Sequence, residues 1–314
     1  MKQESVQGTS LRTDSLADYN NEIFTETDID FIDYRSFNIC NFKCRSCTPQ
    51  FSHGIANEVK KNLELQPFFP KPTDSKTISV DDTNVQWIKE NLYKLNRLMF
   101  TGGEPTRIPG VQELIEYICK HHRKIQIIIV TNASFSDKFW YDITKTLPNM
   151  HWTVSIDAVG SPAEIIRHGT KWDLVEKNVE WLAQNANSLD INTVVSNLNL
   201  FHLGPLLEFG RRMQKLSITP TGKHGDLGCR HQFTVCQRPF HMSVDNLSEE
   251  LLKKADQYLK QCVDLDLDDE QRNMLEGVQE RISSASYDDD LWKTTQRYNN
   301  VLNTIRNENH EVLF

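Results

Sequence analysis

From Phe31 onward, short apolar runs alternate with longer segments in which apolar residues recur at helical spacing. Runs rich in Ile, Val and Phe predict six strands, at Phe31–Ile39, Arg97–Phe100, Ile125–Val130, Trp152–Ile156, Ile191–Val195 and Leu216–Thr219. Between them the pattern predicts helices at about 83–95, 109–122, 136–146, 172–186 and 203–213. Asp82 and Ser136 are suited to helix N-caps, and Pro109 to a first helical turn. Strands separated by helices of this length imply parallel βα units. The expected fold is α/β, a partial (β/α)6 TIM-like barrel; a doubly wound sheet would show the same alternation. Residues 1–30 read as a polar N-terminal tail, and residues 54–80, with Pro67, Pro70 and Pro72, as an insertion or lid. After Pro220 the rhythm changes. Residues 221–247 read as irregular, Ser248 opens a helix, and further helical stretches follow at about 268–283 and 288–308. The chain thus divides into a tail (1–30), a core barrel (31–220) and an α-rich C-terminal appendage (221–314).

Composition narrows the function. Apolar residues are 38% and charged residues 25% of 314, enough for a globular core. Thirty-five Lys and Arg against forty-three Asp and Glu leave a net charge of −8, which makes nucleic acid an unlikely partner. Only Lys43, Arg45, Lys60 and Lys61 offer a local basic patch. No run approaches the ~20 apolar residues of a membrane helix, and the N-terminus lacks the apolar core of a secretory signal. The expectation is a soluble, cytoplasmic protein with no membrane partner. Seven Cys, an odd number and partly clustered, suggest a metal or redox site more than a disulfide framework.

That cluster is Cys40-Asn41-Phe42-Lys43-Cys44-Arg45-Ser46-Cys47, directly after the first predicted strand. Three thiolates leave one metal position without a cysteine. An iron–sulfur cluster would keep one iron open, whereas a closed zinc site would take His53 as fourth ligand. Incidental or redox thiols are the third possibility.

The Cys-x3-Cys-x2-Cys spacing resembles the signature of the radical S-adenosylmethionine (SAM) superfamily. Thr101-Gly102-Gly103-Glu104-Pro105, after the second predicted strand, resembles that family's glycine-glycine-glutamate-proline element. The resemblance covers about residues 31–220 and implies a partial TIM-like barrel around a [4Fe–4S] cluster. It implies that Cys40, Cys44 and Cys47 ligate three irons and that the fourth iron chelates SAM. An electron through the cluster would cleave the sulfonium, and the resulting 5′-deoxyadenosyl radical would abstract hydrogen from substrate. Gly102 and Gly103 would permit close approach to the methionyl amine, and Glu104 would contact that ammonium or order the loop. Asn132 would contact the cofactor, Ser155 and Asp157 the ribose, and Arg167 the cofactor carboxylate. Val194 and Val195 would pack on adenine or in the core. Two positions depart from the family pattern. The residue before Cys47, aromatic in many relatives, is Ser46, with Phe42 the nearest aromatic; and Ala158 follows Asp157 where relatives often have Gly.

The C-terminal region resembles only loosely the SPASM or twitch appendage of the peptide-modifying branch. Cys229, Cys236 and Cys262 are its only cysteines, one short of a four-thiolate set. His224 and His231 would complete a zinc site with Cys229 and Cys236; ordinary packing is the simpler expectation. The functional expectation is a radical SAM enzyme, with a peptide substrate and a low-potential donor such as flavodoxin or ferredoxin. Nucleic-acid or small-molecule modification is the alternative chemistry, and a non-catalytic metal-stabilised interaction protein the alternative class.

Overall fold

The computed structural model describes residues 29–35, 37–69, 82–122, 124–219 and 228–314. The expected tail lies almost wholly outside the described residues, as do Pro70, Pro72 and His224. In chain order the elements are β1 (Phe31–Tyr34), β2 (Lys43–Cys44), α1 (His53–Lys61), α2 (Asp82–Asn91), β3 (Arg97–Phe100), α3 (Pro109–His121), β4 (Gln126–Thr131), α4 (Lys138–Thr146) and β5 (Met150–Ser155). There follow α5 (Ser161–Ile166), β6 (Arg167–His168), α6 (Trp172–Asn185), β7 (Ser188–Val195), α7 (Leu203–Leu216) and β8 (Gly228–Val235). The chain ends in α8 (Glu249–Cys262), α9 (Asp269–Ser283) and α10 (Asp289–Arg306).

β1, β3, β4, β5, β7 and β8 form one sheet in that order, every pairing parallel. Strand order follows chain order with no reversal, which separates a partial barrel from a doubly wound sheet. Tyr34 pairs with Phe100, Phe100 with Ile129 and Thr131 with Val154, so the strands finish along one edge. The loops after them therefore meet in one place. β4 is apolar on both faces, with Ile127, Ile128 and Ile129 all buried, as a strand covered on both sides must be. α3 shows the matching helical logic: Val111, Leu114, Ile115 and Ile118 make one buried stripe, and Pro109 occupies the first turn.

Local differences from expectation have identifiable causes. The first strand stops at Tyr34, because the segment beyond it turns to carry the cysteines. Asp137, not Ser136, caps α4, accepting from the Phe139 amide at 2.9 Å, and Asp82 lies inside α2. The proposed insertion holds α1 and a 3₁₀ turn at Leu63–Phe68. The largest correction concerns the sixth strand. Leu216 completes the last turn of α7, and the strand is Gly228–Val235, inside the segment expected to be irregular. Its buried positions include Cys229 and His231, so it lacks the aliphatic alternation of its neighbours. His231 Nε2 and the Thr193 hydroxyl share a 3.0 Å hydrogen bond. Gly210 of α7 makes room for the ring, since a Cβ there would lie 2.2 Å from Nδ1.

The three C-terminal helices start where capping chemistry places them. Ser248 accepts from the Leu251 amide, Asp268 forms a capping box with Gln271, and Asp288 accepts from the amides of Asp290 and Leu291. α9 packs on β8, where the Phe233 amide meets Met274 Sδ at 3.1 Å. Phe68 and His241 both stack edgewise or tilted on Tyr298 of α10, joining the insertion to the appendage. Among the described residues no helix is long and apolar enough to cross a membrane.

His231 sets a pH dependence. Burial pushes its imidazole down from 6.5 to about 3, against a weak opposing pull from Asp268. Between those values the unfolded chain binds the proton and the folded chain does not, so stability is complete above pH 6.5 and declines as pH falls through the window. Urea unfolding at about pH 7 and about pH 5 measures the slope, and His231→Gln should flatten it by up to about 1.4 kcal/mol per pH unit. An unchanged slope would show that the imidazole charges without cost in the folded state.

Candidate active site

Cys40, Cys44 and Cys47 lie half-buried in the loop between β1 and α1. β2 pairs antiparallel with β6, setting Cys44 opposite Arg167 and Lys43 opposite His168. The Phe42 amide donates to Cys40 Sγ at 3.4 Å, and Cys47 Sγ donates to the Thr48 carbonyl at 3.7 Å. Burial raises all three thiol pKa values, Cys47 to about 12, and the Cys44 thiol adds to the rise at both Cys40 and Cys47. Arg167 pulls the other way at Cys44 and Cys47.

The loop after β3 holds this cysteine segment by its backbone. Gly103 N–H donates to the Phe37 carbonyl at 3.1 Å and Glu104 N–H to the Ile39 carbonyl at 2.7 Å. A Cβ at Gly103 would lie 2.1 Å from the Ile39 oxygen, so no other residue fits this approach. Gly102, at φ +113°, faces the Phe37 carbonyl in the same way. The close contact these glycines permit is thus between two loops of the chain itself.

Glu104 is fully buried and engaged. Its Oε1 accepts from the Thr106 amide and from the hydroxyls of Thr106 and Thr131, and its Oε2 from the Asn132 amide at 2.8 Å. These bonds join its own loop to the one after β4. Asn132 passes the connection on: its side-chain Nδ2 donates to Asn41 Oδ1 at 3.0 Å, and its Oδ1 accepts from the Ser134 amide and hydroxyl. Asn41 completes the circuit by donating to the Ser134 hydroxyl.

On the far side, Asp157 bridges three segments. Its Oδ2 accepts from Arg167 Nη1 at 2.9 Å and its Oδ1 from the Val194 amide at 2.9 Å. Asn199 donates to the Asp157 carbonyl and to the Val194 carbonyl, bracing the same corner. Arg167 Nε is buried without a partner. Arg167, Asn132 and Ser155 line one narrow pocket with Phe42, Ile156 and Thr170. Val195 is fully buried in the core.

The donor chemistry of this loop fits a thiolate-ligated metal centre. Burial raises all three thiols, Arg167 offsets it only in part, and a bound cationic centre would supply the rest. Among the described residues no three His, Cys, Asp or Glu side chains stand gathered as a preformed metal group, this triad included. His53, the zinc alternative's fourth ligand, instead shares a hydrogen bond with the Asn57 amide. Cys229, Cys236 and Cys262 are all buried: Cys229 within β8, Cys236 just after it against the Arg238 carbonyl, Cys262 at the end of α8 beside Gly204.

Of the four basic residues of the expected patch, Lys60 and Lys61 stay exposed, while the other two are engaged within the fold. Arg45 is completely buried and Lys43 is paired with Glu58 at 2.8 Å. Arg45 is also the main residue that sequence reasoning missed, together with Asn299, Asn303 and Glu308, which hold it. The one available signal was a cation placed between two cysteines.

The radical SAM superfamily model matches residues 34–209. The S-adenosylmethionine-dependent nucleotide dehydratase of Flammeovirga pacifica is 26% identical over 176 residues, 54% of this chain and 54% of that protein. GTP 3′,8-cyclase of Helicobacter pylori is 23% identical over 188 residues, 58% of this chain and 52% of that protein. The chain therefore spans about half the length of the curated relatives it matches. Among solved structures, native anSMEcpe with bound AdoMet has 17% identity and a TM-score of 0.49, covering 75% of this chain and 60% of that one. Streptococcus suis SuiB bound to precursor peptide SuiA has 14% identity and a TM-score of 0.48, covering 74% and 46%. The family match takes in more than half of the chain, from the last residue of β1 through the cysteine loop, Gly102–Glu104, Asp157 and Arg167: this chain belongs to the radical SAM superfamily.

Proposed function

We propose that the chain is a radical SAM enzyme in which Cys40, Cys44 and Cys47 hold a [4Fe–4S] cluster beside a SAM seat formed by Gly102, Gly103, Glu104, Asn132, Ser155, Asp157 and Arg167. The observation that carries this reading is the pairing of Cys44 with Arg167 across β2 and β6, at the edge where the glycine loop also docks. Bound together, cluster and SAM would supply a reductive, one-electron route to hydrogen abstraction from substrate.

The residues divide the work. Arg167 offers a guanidinium fixed by Asp157 and an unpartnered Nε, suited to a carboxylate. Both Asp157 oxygens are occupied within the fold, so Asp157 acts by orienting Arg167, and the Ser155 hydroxyl is left as the polar group toward a ribose. Glu104 sets the height of the glycine loop through Thr131 and Asn132. Phe42, buried in the same pocket, supplies the aromatic surface that Ser46 does not.

The two curated relatives named above carry a nucleotide substrate in their names, which favours a nucleotide-class small molecule over the peptide implied by the twitch-like resemblance. We take the barrel to run from about residue 31 to Val235, since β8 completes the sheet, and the rest as a metal-free, twitch-like appendage. Flavodoxin or ferredoxin in the cytoplasm is the electron donor this chemistry asks for.

Anaerobic reconstitution should give about four irons per chain and, with reductant and SAM, 5′-deoxyadenosine. The triple Ala variant of Cys40, Cys44 and Cys47 should lose both; unchanged iron and sulfide in it would overturn the ligand assignment. Incubation with nucleoside triphosphates or with peptides, followed by mass spectrometry, separates the substrate classes.

Arg167→Ala should weaken SAM binding by about 1.5–3 kcal/mol, the cost of a lost charged hydrogen bond, measured by calorimetry. Equal affinity in variant and parent would remove Arg167 from the seat.

Ser at Cys229, Cys236 and Cys262 together should leave iron content at the parent value, with some loss of thermal stability because buried Cys packs as a small hydrophobe. A fall from about eight irons to about four would reveal a second cubane in the appendage.

A further inference from the structure

Arg45 lies between Cys44 and Cys47, and its side chain is completely buried. A buried guanidinium is tolerated only when its donors are met. Here all five N–H groups have acceptors. Nε donates to the Ile165 carbonyl at 3.2 Å. Nη1 donates to Asn299 Oδ1 at 2.8 Å and to the Asn299 carbonyl at 3.4 Å. Nη2 donates to Asn303 Oδ1 at 2.8 Å and to Glu308 Oε2 at 2.7 Å. The backbone of Arg45 is held as well, its N–H by the Ile166 carbonyl at 2.9 Å and its carbonyl by the Tyr298 hydroxyl at 2.7 Å.

Four of these partners, Tyr298, Asn299, Asn303 and Glu308, come from α10 and the turn that follows it. Asn307, in the left-handed conformation at φ 53°, makes that turn and brings Glu308 back toward Arg45. Glu308 Oε1 also shares a 2.5 Å hydrogen bond with His168, the residue opposite Lys43 across the β2–β6 pair. A second clamp runs alongside: Lys43 and Arg306 both bind Glu58, at 2.8 and 2.7 Å. Both residues adjoining Cys44 are therefore gripped by side chains that lead to the C-terminal helix.

We infer that residues 298–308 position the cluster-binding loop. Arg45 is a positioning residue: through Asn299, Asn303 and Glu308 it holds the backbone from Cys44 to Cys47 in the shape that accepts the cluster. Cluster retention then depends on a segment some 250 residues away in sequence. The inference rests on the reading that the cysteine triad holds the cluster, but its first consequence is visible without metal.

The test compares the full-length parent with Asn303→Ala/Glu308→Ala and with the milder Glu308→Gln. In metal-free protein, iodoacetamide alkylation of each cysteine is followed by mass spectrometry, with the urea midpoint measured in parallel. With the clamp loosened, Cys44 and Cys47 should react about tenfold faster in the double variant, while Cys119 on α3 keeps its rate. Glu308→Gln keeps the side-chain shape and should give a smaller rise of about threefold at the same two positions. In reconstituted protein, iron release to a chelator should quicken in the same order. Unchanged Cys44 and Cys47 rates in both variants would overturn the inference. If the double variant exposes Cys119 and Cys229 equally, it has unfolded, and Glu308→Gln decides: a rise confined to Cys44 and Cys47 supports positioning, and no rise refutes it. If the parent itself takes up no iron, the functional reading fails while the thiol rates still judge the clamp.

Discussion

The site depends on one backbone contact, the docking of the Phe37–Ile39 segment onto Gly102 and Gly103. Two amides of the glycine loop find acceptors in the cysteine segment, and the absence of side chains lets the two backbones meet. From there the geometry propagates by hydrogen bonds: Glu104 to Thr131 and Asn132, Asn132 to Asn41, Asn41 to Ser134. Three loops from three strands are thereby tied at one height. Parallel strands in register supply the common edge; the glycine contact decides how deep the cysteines sit beneath it.

Electrostatics at this edge serves placement more than stability. At 2.9 Å and an effective dielectric near 20, the gross attraction between Asp157 and Arg167 is roughly 5–6 kcal/mol. Desolvating each ion costs several kcal/mol, so the pair comes close to balance. What the pair secures is orientation. Asp157 is fixed by the Val194 amide and Asn199, and Arg167 by Asp157, so the guanidinium faces Cys44 with little freedom. The same holds for Arg45, where five hydrogen bonds offset burial.

Elements with strong local signals were legible in the sequence. Five strands, the helices α2, α3, α4, α6 and α7 and the starts of α8, α9 and α10 follow from periodicity and capping, and the cysteine loop and glycine element from their spacing. β8 was not legible, because its buried positions hold Cys229 and His231 and its fitness comes from Thr193 and Gly210 on other elements. Nor was the engagement of Asp157: a carboxylate after a strand reads as a ligand contact, whereas its two oxygens meet partners 10 and 37 residues away. Arg45 looked like surface charge for the same reason. Its acceptors lie 120 to 263 residues on, beyond any local pattern.

These long-range partners bear on how the chain is divided. A barrel ending at 220 would leave β7 as an edge strand, with eight residues of ladder toward β8 unpaired. It would also strip Arg45 of five of its seven hydrogen bonds, those to Tyr298, Asn299, Asn303 and Glu308, and leave only the Ile165 and Ile166 carbonyls. A charge stripped of its acceptors costs several kcal/mol, a large part of the net stability of a domain. The C-terminal helices therefore belong to the folding unit of the site: α9 covers the sheet's last strand, and α10 forms the outer wall of the cysteine loop. An appendage that is built in this way grips both neighbours of Cys44, Arg45 through Glu308 and Lys43 through Glu58 and Arg306, while Asn132, Ser155 and Arg167 line the pocket beside Phe42.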